Sequence, residues 1–354
     1  MTEKKEYLII GAGLSGICMS VHLIKNGHSV TLIDSGENFS SSVAAGQINP
    51  LVFRRMTKSW RIDDFLPYAA NFYTNLGTET QLPIYFPIQI RRMFSSAHEK
   101  VMWLEKQEQD GFSHLMEVIT PDDDAYTLAK NDFGSGRIKQ SSYVNAANFL
   151  TGGKKWIEQN GIIVTEKVVY SDINPSHSTY KGKKYDAFLF CEGSQNSDNP
   201  WFKQFVVEHT KGEVLTLNST EISETESLNR KCFLLPVGNS TFRLGATYVW
   251  NTPERSITIE AKEDLLVKVQ LLTSKSFTVI DHQVGIRPTT PDRRPIIGRH
   301  PEFYNMLIFN GLGSKGYSMA PLLAKEFADN LDGKGELDKE VRIERLIKPN
   351  TFLK

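Results

Sequence analysis

Residues 7–16 read YLIIGAGLSG and residues 28–34 read HSVTLID. Four apolar residues in a row suit a strand buried on both faces, as in a parallel sheet. Glycines at 11, 13 and 16 follow at once, and Leu14, Ile17, Cys18, Val21 and Ile24 then recur at helical spacing. Asn26-Gly27 stops that helix. The next apolar run ends on Asp34, with Ser35 behind it. Strand, glycine turn, helix, strand and acid, in this order, make a dinucleotide-binding unit. Gly11 permits the tight turn, Gly13 lets the backbone approach a pyrophosphate, and Gly16 lets helix and strand pack closely. The first helical turn, with Leu14 and Ser15, presents N–H groups to phosphate charge. Asp34 is placed to accept hydrogen bonds from ribose hydroxyls. The motif alone suits FAD and NAD equally.

Working outward, SGENFSSSVAAGQINP (35–50) is a serine-rich loop. Small residues at Ala44, Ala45 and Gly46, followed by Gln47, would let backbone amides approach a flat ring system. Ser41 and Ser42 would add hydroxyls. An ordinary polar loop explains the serines equally well.

The remaining 300 or so residues of this 354-residue chain leave room for a second domain or a large insertion. Lys+Arg and Asp+Glu are both 41, so the net charge is zero, which argues against a general nucleic-acid or membrane-surface binder. Cys18, Cys191 and Cys232 lie far apart, so neither a zinc site nor a disulfide framework is expected, and free thiols fit a cytoplasmic protein. No metal site is expected. Neither a signal-peptide pattern nor a membrane-length apolar run is present.

Further motifs are spread along the chain: TKGEVLTL (210–217), FLLPVGNSTFRLGATY (233–248), VGIRPTTPDRRPIIGRHPE (284–302) and GLGSKGYSMAPLLA (311–324). With IIGAGLSG, Asp34-Ser35 and SSSVAAG, and in this order, they resemble the D-amino-acid oxidase/glycine oxidase family of FAD-dependent oxidoreductases. The C-terminal loop also resembles the FAD oxidase domain of a bacterial bifunctional tRNA wobble-uridine modification enzyme. The resemblance implies an α/β fold with an α+β substrate part: a Rossmann-like FAD domain with an inserted, mainly antiparallel substrate domain. The implied division is 1–75, 141–203 and 282–354 for FAD, and 76–140 and 204–281 for substrate.

Local patterns agree. KYDAFLFCEGS (184–194) reads as a parallel strand running into a turn at Gly193, and GIIVTEKVV (161–169) as the strand whose backbone meets the adenine near Val169. Residues 142–161 read as a helix, with Gly152-Gly153 as a site for a kink. Gly238-Asn239 has hairpin-turn chemistry. Residues 306–331 read as strand, glycine turn and helix. In the family's arrangement Gly311, Gly313, Ser314, Lys315, Gly316 and Tyr317 pass close to the isoalloxazine, with the helix N-terminus facing the ring's carbonyl edge.

Arg287 sits where the family's arginine grips a substrate carboxylate above the flavin. The resemblance implies hydride transfer from the carbon beside nitrogen to flavin N5, then imine hydrolysis, by an amine or amino-acid oxidase or dehydrogenase. The partners are a small carboxylated amine and dioxygen or another electron acceptor. An arginine keeps its charge, so burying it requires an anion. That anion is either a ligand or a local acid such as Asp292. Phe233 replaces a tyrosine that would have added a hydroxyl to the carboxylate. FRRMTKSWR (53–61) follows the serine loop. Arg54 or Arg55 is there a second carboxylate ligand, an RNA contact or part of a solvated helix start. The covalent flavin cysteine of sarcosine-type relatives would fall at Gly285, so FAD is expected to be non-covalent. His282 carries no assigned role. The alternatives are a tRNA carboxymethylaminomethyl-uridine oxidase, a non-catalytic flavin-binding redox sensor, and NAD binding at the first motif alone. Oligomeric state is not legible.

Overall fold

The computed structural model describes residues 3–37, 40–205 and 207–347. Asn38 and Phe39 of the serine-rich loop therefore lie outside the described residues. Among the described residues a six-stranded sheet has the order Ile162–Thr165, Ser29–Asp34, Glu6–Ile10, Ala187–Phe190, Met306–Asn310, Ile296–Arg299. The first five run parallel and the last pairs antiparallel. These strands are apolar at consecutive positions because both faces are covered. Tyr7, Ile9, Ala187, Leu189, Leu307 and Phe309 enter one core, while Leu8, Ile10, Phe188, Phe190, Met306 and Ile308 enter another. This is the two-residue alternation of a pleated strand.

The glycine-turn helix, Leu14–Lys25, lies on the first of these faces among the helices Ile62–Thr80, Ala146–Asn160 and Gly316–Leu331. Nearly its whole surface is buried, Leu14 through Leu23 included. The Ala146–Asn160 helix continues through the glycine pair at 152–153, which lies on its buried side. The pair is a packing site: a Cβ at Gly153 would stand 2.4 Å from Ile17 Cγ2. We expect Gly153→Leu to overpack this contact and cost about 1–3 kcal/mol of stability, read as a lowered thermal midpoint. Residues 142–144, expected to be helical, form a short strand instead. The helix begins after Asn145, whose side chain accepts the Asn148 N–H at 3.0 Å.

An eight-stranded, mainly antiparallel sheet forms the second layer among the described residues. Its longest members are Glu208–Asn218 and Thr278–Thr289, paired antiparallel with Thr210 opposite Arg287. Pro288 is tolerated there because the only described partner of the Thr278–Thr289 strand is on one side. The hairpin Cys232–Gly238/Thr241–Gly245 turns on Asn239 and Ser240, with φ of 54° and 57°, one residue beyond the expected pair. The sheet packs on the helix Ile259–Val269 through Leu265 and Val269. No helix among the described residues is long and apolar enough to cross a membrane.

Candidate active site

The parallel strands end at one edge, where open α/β sheets bind ligands. A cleft of about 430 Å³ begins there and runs to the antiparallel sheet. Its floor is the glycine turn: Gly11, Gly13, Leu14 and Ser15 line it. Gly11 has φ +102°, and a Cβ there would stand 2.5 Å from the Cys191 carbonyl oxygen of the neighbouring strand. Gly16 faces inward, where a Cβ would meet the Gly11 carbonyl oxygen at 1.8 Å, so it sets packing and does not line the cleft. The helix starting at Leu14 has no side-chain cap at Gly13. The helix starting at Gly316 likewise lacks one at Lys315. Both helix starts meet in the cleft, and Ser41 joins them: its Oγ accepts the Leu14 N–H at 3.0 Å, and its carbonyl accepts the Tyr317 hydroxyl at 2.8 Å. Two converging helix N-termini favour an anion.

Ala45, Gly46 and Gln47 line the wall between the two sheets. Gly46 has φ +70° and lies against Val144, where a Cβ would be 1.9 Å from the carbonyl oxygen. Gln47 donates to Ser227 Oγ at 2.6 Å, and Arg243 donates to the Val43 carbonyl at 2.8 Å, so the serine loop is fastened to the antiparallel sheet. At the far end stand Asp34 and Ser35, with Asp34 ion-paired to Lys154. Gly193, Gly313 and Ser314 also face the cleft.

Arg287 lines the cleft at the antiparallel sheet. Its guanidinium lies over Gly212, where a Cβ would fall 2.2 Å from Nη2. Nη1 donates to the Lys211 carbonyl and Nη2 to the Thr247 carbonyl, each at 3.3 Å. A guanidinium has five N–H groups, so three remain after these bonds. Tyr248 lies against it, ring centroid 5.1 Å from Cζ. No carboxylate among the described residues pairs with it. Asp292 instead binds Arg345 at 2.8 Å. Burial pushes the Arg287 pKa down, a sign of a cation short of compensating charge.

Two further charged groups shape the cleft. Lys315 is half-buried in the cleft wall and donates to the carbonyls of Asn49 and Leu51, at 2.6 and 3.4 Å. Burial pushes its pKa down from 10.5 to about 8. The unfolded chain therefore keeps this proton to higher pH than the folded one, and folding stability rises as pH climbs from about 8 towards 10.5. In the FAD-free protein we expect Lys315→Met to raise the thermal midpoint at pH 7, and its advantage over the parent to shrink by pH 10. An advantage constant with pH would contradict this. Glu192 was not anticipated from the sequence. It lines the cleft and accepts from Tyr170 Oη at 2.6 Å and Asn199 Nδ2 at 2.7 Å, while burial pushes its pKa up to about 7.

Several expected residues stand elsewhere. Arg54 and Arg55 form an exposed 3-10 turn and do not line the cleft, because the backbone turns outward there before the Ile62–Thr80 helix. Their neighbours Lys58 and Arg61 are tied to acids, Lys58 to Asp63 and Arg61 to Asp64 and Glu326. Ser42 is exposed and outside the lining. Gly311 packs on Thr290, where a Cβ would be 2.6 Å from Cγ2. Val169 is 46% exposed and not among the lining residues, while Val168 and Tyr170 line the cleft. The strand expected over 161–169 covers only Ile162–Thr165. Lys154, Gly212 and Tyr248 were also missed. Gly212 had a signal, since a glycine inside the strand-like TKGEVLTL marks a close approach.

A parallel sheet with a glycine turn, two helix starts converging on one cleft and a second sheet at the cleft's far end form the architecture of a dinucleotide-binding protein. The chain belongs to the DAO family of FAD-dependent oxidoreductases, which it matches over residues 6–330. Glycine oxidase of Bacillus licheniformis is 25% identical, covering 94% of each chain. The bifunctional tRNA 5-methylaminomethyl-2-thiouridine biosynthesis protein MnmC of Legionella pneumophila is 22% identical over 96% of this chain but only 55% of its own length. Glycine oxidase from Geobacillus kaustophilus has the same fold, with a TM-score of 0.81, 18% identity and coverage of 95% of this chain and 96% of that one. Iminodiacetate oxidase from Chelativorans gives a TM-score of 0.79 at 18% identity, over 94% and 97%.

Proposed function

We propose that the chain oxidises a carboxylated amine, an amino acid or N-substituted glycine, with FAD as cofactor. The observation that carries this is Arg287: a cation facing the cleft, with N–H groups to spare and no acid paired to it among the described residues. A bidentate guanidinium–carboxylate pair would fix both the distance and the orientation of the substrate's reacting carbon. Gly212 leaves the space for that guanidinium, and the Lys211 and Thr247 carbonyls set its plane.

The residues present fit FAD. Gly11 and Gly46 keep backbone surfaces bare where a Cβ would collide with main chain. The starts at Leu14 and Gly316 suit phosphate and the flavin's carbonyl edge, with Ser41, Ala45, Gln47, Gly193, Gly313, Ser314 and Tyr317 around them. Asp34 and Ser35, the former oriented by Lys154, suit the ribose. When bound, FAD accepts the two electrons and proton released as the amine becomes an imine, and passes them to dioxygen or another acceptor. Water then adds to the imine, releasing the amine and a carbonyl product. No protein base is needed for an amine that arrives neutral.

Non-covalent attachment is supported by the cysteines. Cys191 reaches the cleft, but burial raises its pKa and keeps it a thiol, which is a poor nucleophile. Gly285 occupies the other position considered. Denaturation should release all the yellow colour into the supernatant. The substrate reading is tested by anaerobic mixing of the yellow protein with glycine, sarcosine, iminodiacetate and N-benzylglycine. Bleaching by at least one is expected, and a spectrum unmoved by any carboxylated amine would overturn it.

A second reading is removal of a carboxymethyl group from an amine on tRNA. The likeness to MnmC across 96% of this chain favours it, as do the exposed Arg54 and Arg55. It requires a tRNA complex that weakens steeply with salt. No band shift at low salt would remove it.

A further inference from the structure

Against Arg287, outside the residues that line the cleft, stands an aromatic pair that the reaction above does not use. Tyr248 and Trp250 are 45% and 43% exposed. Trp250 and Val249 form a short edge strand held to Lys211 and Thr210. Tyr248 immediately precedes this strand, and its ring lies beside that of Trp250. Their centroids are 5.0 Å apart at 70°, an edge-to-face contact. Tyr248 lies on the Arg287 guanidinium at 5.1 Å. Arg293 stands 6.0 Å from the Trp250 ring. The aromatic face thus starts at the expected carboxylate grip and ends at a second cation. Two large exposed rings held this way, beside the arginine that lines the cleft, make a stacking platform, and a planar ring is the group such a platform recognises.

We propose that Tyr248 and Trp250 form an outer subsite that stacks a planar aromatic group carried on the amine nitrogen of the substrate. This rests on Arg287 holding the substrate carboxylate. With the carboxylate held there, a substituent on the nitrogen that extends along the Tyr248 side of Arg287 would meet both rings. The preferred substrate class is then an N-carboxymethyl amine bearing an aromatic ring, above glycine or sarcosine.

Aryloxyacetates carry the same carboxymethyl group on oxygen and serve as unreactive probes. The FAD-loaded protein is titrated with phenoxyacetate, cyclohexyloxyacetate and methoxyacetate, following the flavin absorbance. Phenoxyacetate should bind about tenfold tighter than its saturated counterpart. Trp250→Leu should abolish that preference and Trp250→Phe should retain part of it. Equal binding of the flat and saturated rings, or a preference that survives Trp250→Leu, would overturn the subsite. An Arg287→Met protein that binds all three like the parent would instead overturn the carboxylate grip, which separates the two failures. In turnover, the ratio of KM for N-benzylglycine to KM for sarcosine should rise about tenfold in Trp250→Leu.

Discussion

Arg287→Met lowers kcat/KM for a carboxylated amine by about 30-fold to 5,000-fold, the equivalent of about 2–5 kcal/mol for truncating a desolvated charge pair. Charge compensation sets the size of this effect. In the free protein the guanidinium has two long bonds to carbonyls and no carboxylate, so its desolvation is poorly offset. A substrate carboxylate supplies the missing anion, and the pair forms only in the complex. Thermal stability should therefore be unchanged or slightly higher in Arg287→Met, with a full complement of flavin. An arginine in an internal ion pair gives the opposite signature, since its loss strands a buried acid and destabilises the fold. Rapid-reaction bleaching rates together with thermal midpoints separate the two cases. Loss of stability with unchanged kcat/KM would defeat the assignment.

Gly11→Ala should yield a protein that binds FAD at least about tenfold more weakly and loses about 1–3 kcal/mol of stability, through a φ that side chains rarely adopt. The added methyl group would meet the Cys191 carbonyl oxygen at 2.5 Å. That oxygen belongs to the main chain next to the central strand, so no side-chain rotation relieves the contact. Gly313→Ala provides a control in the same cleft. Its φ is +56°, and nothing lies within 4 Å of the new Cβ, so only the modest left-handed penalty of about 1–2 kcal/mol applies. Isothermal titration of the two apoproteins with FAD ranks them. Equal affinities would show that the turn is not where the cofactor rests.

The parallel sheet was the most legible part of the sequence, because its strands are short, uniformly apolar and followed by glycines that admit few other readings. Residues 7–34 fall within a residue of their expected elements. The sequence was ambiguous where two physical causes share one signal. A glycine pair at 152–153 suits a kink or a close contact, and Gly153 lies against Ile17. Basic residues at 54 and 55 suit a ligand, an RNA contact or a solvated turn, and charge alone does not say which way a turn faces; this one faces solvent. That Arg287 and Asp34 would face one cleft could be expected from motif position. Their neighbours could not: Lys154 reaches Asp34 across 120 residues, and Tyr248 comes to Arg287 from the segment before the Val249–Trp250 strand. Glu192 carries an acid into an apolar strand end, a departure visible in the sequence whose burial only the fold reveals.

The order of strands in the parallel sheet has a consequence for synthesis. Glu6–Ile10 has Ala187–Phe190 on one side, and that strand in turn waits for Met306–Asn310. A nascent chain leaving the ribosome thus carries an oily, half-partnered ribbon until most of its length has emerged. Such late closure makes folding slow and leaves sticky edges uncovered in the interim. Chaperone supply and lower growth temperature, more than codon choice at the start of the gene, should then set the yield of yellow protein.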